Sequence, residues 1–150
     1  MGLKNILFGK KKIISDKKIG DLKARIKNNN PSINYTWTSE FLLSGEENET
    51  VIMLEGNANG PYKNQLNAVY SIVDNLKKLR EQILIDSKRL NLENLKYNSN
   101  RIKDFYFAAI TPIDITENSF EVNLEPVSGD EDGYVLFKWK NNQVSDLEIK

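Results

Sequence analysis

Two clusters of acidic residues contain carboxylates that could bind a metal ion or a basic partner. They are Glu46, Glu47 and Glu49 in one stretch, and Asp130, Glu131 and Asp132 in another. A calcium loop places oxygen ligands at alternate positions and closes with a more distant glutamate. The second cluster lacks that spacing, and we predict no metal site. Clusters of carboxylates in turns have two interpretations. They are either plain solvated loops or an acidic patch that contacts a basic partner.

The stretch from Gly56 to Gly60 could form a phosphate-binding loop, because a strand-like run precedes it and a helical pattern follows. Such a loop needs a lysine and a serine or threonine directly after its last glycine. Here Pro61 follows, and proline has no N–H with which to bind an anion. We therefore interpret the stretch as a tight corner, with Asn59 or Gly60 as the helix cap and Pro61 in the first turn.

The composition removes several classes of catalyst. The chain contains no cysteine and no histidine, which excludes thiol nucleophiles, disulfides, thiolate zinc sites and imidazole bases. Any catalysis would have to rest on Asp, Glu, Lys, Tyr or Ser, and the enzyme hypothesis combines carboxylates with Lys63 or Arg80. We predict neither an enzyme nor a cofactor. Arg80 lies within the apolar arc of a predicted helix. This position favours an arginine whose aliphatic stem lies on the core and whose guanidinium reaches water. The alternative is a guanidinium that pairs with a buried anion.

The first residues combine an apolar block with lysines. The apolar residues are Leu3, Ile6, Leu7 and Phe8, and the lysines are Lys10, Lys11 and Lys12. The apolar spacing predicts a short amphipathic turn, which could make weak contact with a membrane surface. A neutral net charge and the lack of a known motif argue against nucleic acid. No apolar run is long enough for a membrane span or a signal-peptide core, so we predict a cytoplasmic protein.

Hydrophobic periodicity predicts three strands, one long helix and four further strands. Period-two alternation places strands at about 33–43, 105–110, 120–125, 135–140 and 147–149, and residues 19–26 form a further plausible strand. Residues 51–54 are apolar on both parities, which fits a central strand covered on both faces. Apolar residues at helical spacing from about 61 to 87 predict a single amphipathic helix. Between the last two strands, Asn141 and Asn142 predict a tight type I′ hairpin.

The order βββ-α-ββββ predicts an α+β fold, in which the helix packs on a mostly antiparallel sheet of about seven strands. Residues 1–18 would be a flexible or amphipathic leader, and residues 19–150 a single domain. Aromatic residues at strand and helix spacing are predicted to fill the core rather than to stack on a ligand.

Four short motifs occur in order along the chain: a lysine-rich leader, Ile19-Gly20-Asp21-Leu22, Gly60-Pro61 with Gln65 and Tyr70 at a helix start, and an aromatic strand from Tyr134 to Trp139. With these motifs the chain resembles a group of small bacterial proteins of unknown function. Some similar small proteins stand beside secreted toxins as immunity proteins, which implies an inhibitor role here. The resemblance assigns no functional residues, because the matched positions are turn and core positions.

The leading hypothesis is a non-enzymatic protein-binding module, with a toxin-immunity protein as its specific form. It depends on the acidic clusters and on residues 104–150, which hold ten Asp/Glu and three Lys/Arg. Such a surface would steer a basic protein partner. The alternatives are a peripheral membrane or scaffold protein that uses residues 1–18, and a carboxylate-based enzyme.

Overall fold

A nine-stranded sheet that shares one hydrophobic core with the two longer helices forms the frame of the fold. The structure, a computed structural model, describes residues 2–90, 99–129 and 133–150. In these ranges the strands are β1 (Lys10–Asp16), β2 (Gly20–Ile26), β3 (Tyr35–Phe41), β4 (Thr50–Asn57), β5 (Gly60–Pro61), β6 (Phe105–Asp114), β7 (Ser119–Pro126), β8 (Val135–Lys140) and β9 (Gln143–Ile149). The helices are α1 (Leu3–Phe8), α2 (Lys63–Val73) and α3 (Leu76–Arg89), with a 3₁₀ helix at Ser99–Asp104. The predicted α+β class with a mostly antiparallel sheet is confirmed.

The sheet consists of two antiparallel meanders joined by a parallel pair. The strand order is β1-β2-β3-β4-β6-β7-β8-β9, and β5 pairs with β4. The parallel neighbours are β4 and β6, where Val51 pairs with Ala109 and Ile52 pairs with Ile110. Parallel strands need a long crossover connection, and α2, α3 and the 3₁₀ helix lie within it. The parallel pairing places the first residues of β4 and β6 at the same end of the sheet.

The prediction of seven strands is wrong, because two more strands are present in the described residues. One of them, β5, has only two residues. The other, β1, lies in the predicted leader and contains three lysines among its seven residues. Lysines are common on edge strands because they oppose further pairing. Pairing between β1 and β2 runs from Lys10 opposite Ile26 to Asp16 opposite Gly20, so residues 10–16 belong to the sheet.

The single long helix predicted over 61–87 is also wrong, since two helices meet at a break. The first ends at Val73 and the second begins at Leu76. Between them, Asn75 leaves helical geometry with φ −126° and ψ 22°. Its side-chain Nδ2 donates a hydrogen bond to the Ser71 carbonyl oxygen at 2.8 Å. Asparagine side chains compete for backbone groups in this way, which favours the end of a helix.

Aromatic side chains fill the core between the sheet and the helices, as predicted. The largest fully buried side chains include Trp37, Phe105, Phe107, Phe120 and Phe137. The rings of Phe120 and Trp139 meet edge-on with their centroids 6.4 Å apart, which is a favourable arrangement of two aromatic rings. These side chains therefore serve the packing of the domain.

The turn between β1 and β2 is tied to α2 by polar side chains. Asp16 accepts hydrogen bonds from the Tyr70 hydroxyl and from the backbone N–H groups of Lys18 and Ile19. Lys18 forms an ion pair with Asp74 at 2.5 Å, and its Nζ lies 5.1 Å from the centre of the Tyr70 ring. The last part of the predicted leader is thus bound to the domain.

Tyr70 should lose its hydroxyl proton only at high pH. Burial, followed by the hydrogen bond and the charge of Asp16, raises the pKa of Tyr70 from 10.0 to about 12. Between these two values the unfolded chain loses a proton that the folded chain keeps, so the free energy of unfolding falls as the pH rises from about 10 to about 12. We expect Tyr70→Phe to reduce this alkaline loss of stability and to remove the step near pH 12 from an absorbance titration of the phenolates. Persistence of that step in the variant would contradict the assignment to Tyr70.

Candidate functional site

A cleft of about 400 Å³ opens at the end of the sheet where β4 and β6 begin. Residues 45–47 of the β3–β4 loop and residues 126–128, at the end of β7 and just after it, line it together with Arg80 and residues 103–106. We call it the acid-loop cleft. It forms here because Phe105, at the start of β6, pairs with Pro126, at the end of β7. The structure thus brings together the stems of the two loops that carry the predicted acidic clusters.

Within this cleft, the carboxylate of Glu46 is already occupied. Its Oε1 accepts a hydrogen bond from Arg80 Nη2 at 2.8 Å, and its Oε2 accepts one from the Phe107 backbone N–H at 3.0 Å. The Glu46 side chain is 5% exposed. This predicted contact residue therefore holds the β3–β4 loop against α3 and β6.

Arg80 supplies the cation for that carboxylate. Its guanidinium also donates to the carbonyl oxygens of Ile102 and Phe105, and its Cζ lies 5.0 Å from the centre of the Phe107 ring. The favoured sequence interpretation, a head group in water, misses this pairing, and the alternative of a buried anion partner is correct. The sequence signal was a cation within an apolar helical arc. That signal did not identify which acid would pair with it.

Exposed carboxylates occur in and beside the acid-loop cleft. Glu47 and Asp104 line the cleft, and Glu49 follows in the same loop; all three are exposed. Lys103 adds an exposed cation to the lining. The second predicted cluster, Asp130, Glu131 and Asp132, lies outside the described residues. The exposed carboxylates of Glu47, Glu49 and Asp104 can accept hydrogen bonds from lysine or arginine side chains of another molecule.

Tyr106 experiences the negative charge of this region. It lines the cleft and pairs with Glu125 of β7. Burial first, and then the charge of Glu125, raises the pKa of Tyr106, while a hydrogen bond with the Asn48 side chain opposes them. Burial disfavours a charge of either sign, so only the smaller contribution, the negative charge of Glu125, would favour a cationic ligand group.

The predicted membrane-contact residues form α1 and the start of β1. The apolar side chains Leu3, Ile6, Leu7 and Phe8 are 72%, 64%, 55% and 56% exposed. Lys10 and Lys11 are exposed on the edge strand, and Lys12 Nζ donates to the Ala58 carbonyl oxygen at 2.8 Å. The structure thus places an exposed apolar helix directly before a lysine-rich edge strand.

The stretch from Gly56 to Gly60 is a corner, as predicted. The chain turns back from β4 into β5, with Gly56 opposite Pro61 and Asn57 opposite Gly60. A Cβ at Gly56 would lie 2.2 Å from the Gly60 carbonyl oxygen, so only glycine allows the two backbones to approach this closely. The predicted helix cap is wrong, because Pro61 belongs to β5 and the cap residue of α2 is Tyr62.

Among the described residues, no group of three acidic side chains could hold a metal ion, and no helix is long and apolar enough to cross a membrane. Comparison of the chain with protein-family models, with curated proteins and with solved structures gives no match. The resemblance to small bacterial proteins, and the inhibitor role that it implies, therefore remain predictions. The geometry of the acid-loop cleft and of α1 is the basis on which a function can be proposed.

Proposed function

We propose that this protein is a non-enzymatic binding module that holds a basic segment of a partner protein in the acid-loop cleft. One observation carries the proposal: residues 45–47, which include two acids of the first cluster, line the same cleft as residues 126–128, which precede the second acidic cluster in the sequence. Glu47 and Asp104 are exposed in its lining, where they would accept hydrogen bonds from lysine or arginine. Complementary charge of this kind selects the partner and speeds association.

The ion pair between Glu46 and Arg80 supports this function because it orders the loop before binding. Through Glu46, the β3–β4 loop is bonded to Arg80 on α3 and to the Phe107 N–H on β6. A loop that is already ordered loses less conformational entropy when a partner binds. The neighbouring Glu47 is therefore presented from an anchored backbone.

A toxin-immunity protein is the specific form of this proposal. The resemblance implies it, and an inhibitor of a basic toxin would need an acidic surface that is formed in advance. A volume of about 400 Å³ suits a few side chains, so the partner would insert a short basic segment. The compartment stays the one predicted from the sequence, the cytoplasm.

Charge reversal of the β3–β4 loop tests the proposal. In the variant Glu47→Lys/Glu49→Lys, we expect the affinity for the basic partner to fall roughly 10- to 100-fold, because two attractive charges become repulsive. The partner is first identified by affinity capture from the native host. The dissociation constant is then measured with both proteins purified, at two salt concentrations, since screening weakens exposed charges.

Glu121→Lys/Glu148→Lys is the matched control. It changes the net charge by the same amount at exposed positions of β7 and β9 that do not line the cleft. We expect this control to bind like the wild type. Equal losses in both variants would assign binding to overall charge, and unchanged binding in the loop variant would remove the proposal.

A further inference from the structure

An unusual concentration of exposed apolar side chains lies on α1. None of the six residues of α1 is buried. Ten large hydrophobic side chains are exposed among the described residues, and four of them, Leu3, Ile6, Leu7 and Phe8, lie on this one helix. Scattered exposed apolar residues are ordinary, but a contiguous group marks a surface that contacts something else.

The position of α1 on the sheet is set by Gly9. Its N–H donates to the Asn5 carbonyl oxygen at 3.1 Å, and its carbonyl oxygen accepts a hydrogen bond from Arg25 Nη1 at 3.2 Å. It has φ +82°, and a Cβ there would lie 2.7 Å from the carbonyl carbon of Ile26. An isolated helix of this length would not be stable in water, so the contact of Gly9 with β2 presents α1 as a formed helix at the edge of the sheet.

Positive charge surrounds the base of α1. Residues 2–15 and 22–39 contain lysines and an arginine but no aspartate or glutamate. Because β1 pairs with β2, Lys11 lies opposite Arg25 and Ile13 lies opposite Lys23, which gathers these cations at one corner of the sheet. We call this the basic corner, and it comprises Lys4, Lys10, Lys11, Lys23, Arg25 and Lys27.

We infer that α1 and the basic corner bind an anionic lipid surface. Two attractions hold a short amphipathic helix in a membrane interface. Its apolar side chains enter the headgroup region, and its lysines attract anionic lipids. A second copy of the chain fits less well, because two basic corners would repel each other. Nucleic acid would satisfy the cations but would leave the four apolar side chains of α1 in water. This inference is independent of the acid-loop cleft.

Vesicle flotation with the full chain tests the inference. The two probes are vesicles of phosphatidylcholine and vesicles in which about a third of the lipid is phosphatidylglycerol. We expect the wild type to float with the anionic vesicles only. We expect Leu7→Ser/Phe8→Ser and Lys10→Gln/Lys11→Gln each to lower the partition coefficient by roughly tenfold or more.

Matched controls replace equally exposed residues elsewhere. Ile85→Ser removes an apolar side chain that is 60% exposed on α3, and Lys77→Gln/Lys88→Gln removes two exposed lysines from the same helix. Both controls should float like the wild type. Since no side chain of α1 is buried, the α1 variants should keep the circular dichroism spectrum and unfolding temperature of the wild type.

A fluorescence measurement locates the contact directly. Trp37 and Trp139 are buried, at 0% and 4% exposed, so Phe8→Trp adds an exposed indole whose emission should shift to shorter wavelength with anionic vesicles. The inference is overturned if this emission does not shift, or if the α1 variants float like the wild type. It is also overturned if the wild type dimerises through α1 instead of binding vesicles, or binds RNA in preference to them.

Discussion

Replacement of Arg80 by methionine is expected to lower the free energy of unfolding by about 3 kcal/mol. Methionine retains most of the packing of the arginine stem but leaves Glu46, 5% exposed, without its cation. Removal of one partner from a buried ion pair costs about 3–5 kcal/mol, because the other charge stays buried. The Arg80 side chain is 21% exposed, so water reaches the site and the lower value applies. Denaturant titration of the variant and the wild type measures the difference.

An exposed ion pair provides the control for Arg80→Met. Lys18 and Asp74 are 47% and 52% exposed, and Lys18→Met should cost less than about 1 kcal/mol. Addition of Glu46→Gln to Arg80→Met should recover most of the loss, because a neutral amide can still accept the hydrogen bond from the Phe107 N–H. If Arg80→Met costs no more than Lys18→Met, the buried pair does not hold the β3–β4 loop.

The second large effect is expected for Gly56→Ala, which should lower the free energy of unfolding by about 3 kcal/mol. The added methyl group would lie 2.2 Å from the Gly60 carbonyl oxygen and 2.5 Å from Pro61 Cα. Both are backbone atoms, so no side-chain rotation relieves the overlap and the hairpin between β4 and β5 must open. The hydrogen bond from the Tyr62 N–H to the Glu55 carbonyl oxygen, 2.9 Å long, lies directly beside this hairpin. Thermal and denaturant unfolding both report the loss.

Gly129→Ala is the matched substitution. A Cβ at Gly129 would meet no atom of the described residues within 4 Å, and we expect a change within about 0.5 kcal/mol. The comparison separates the close approach of two backbones from the general effect of exchanging glycine for alanine in the unfolded chain. Similar stabilities for the two variants would show that the strands at Gly56 are further apart than the structure indicates.

Local chemistry explains which features could be predicted from the sequence. Alternation of apolar residues in Phe120, Val122 and Leu124 marks a strand with one buried face, and these three side chains are buried. The asparagines of the last hairpin, Asn141 and Asn142, have φ 50° and 61°, because their side chains tolerate the left-handed backbone that a type I′ turn requires. The α+β class and the aromatic core follow from signals of the same kind, each confined to a few neighbouring residues.

Other features were missed because their local signals pointed elsewhere. The lysines of β1 suggested a flexible link, but the hydrogen bonds that make this segment a strand come from β2. A continuous apolar pattern suggested one helix, although Asn75 ends the first helical segment and a second begins at Leu76. For β1 the decisive partner lay outside the local pattern, whereas the helix break came from one asparagine within the apolar helical pattern.

The candidate site depended on contacts between distant segments. Glu46 and Arg80 are 34 residues apart, and nothing near Glu46 distinguishes it from Glu47 as the acid that is buried. Residues 45–47 and 126–128 line one cleft because β4 and β6 are parallel neighbours and β7 pairs with β6, and the first of these pairings is made across the whole helical crossover. Burial of apolar surface is not directional. A sequence pattern therefore reveals that a face is covered, whereas the identity of what covers it emerges only when all the layers pack together.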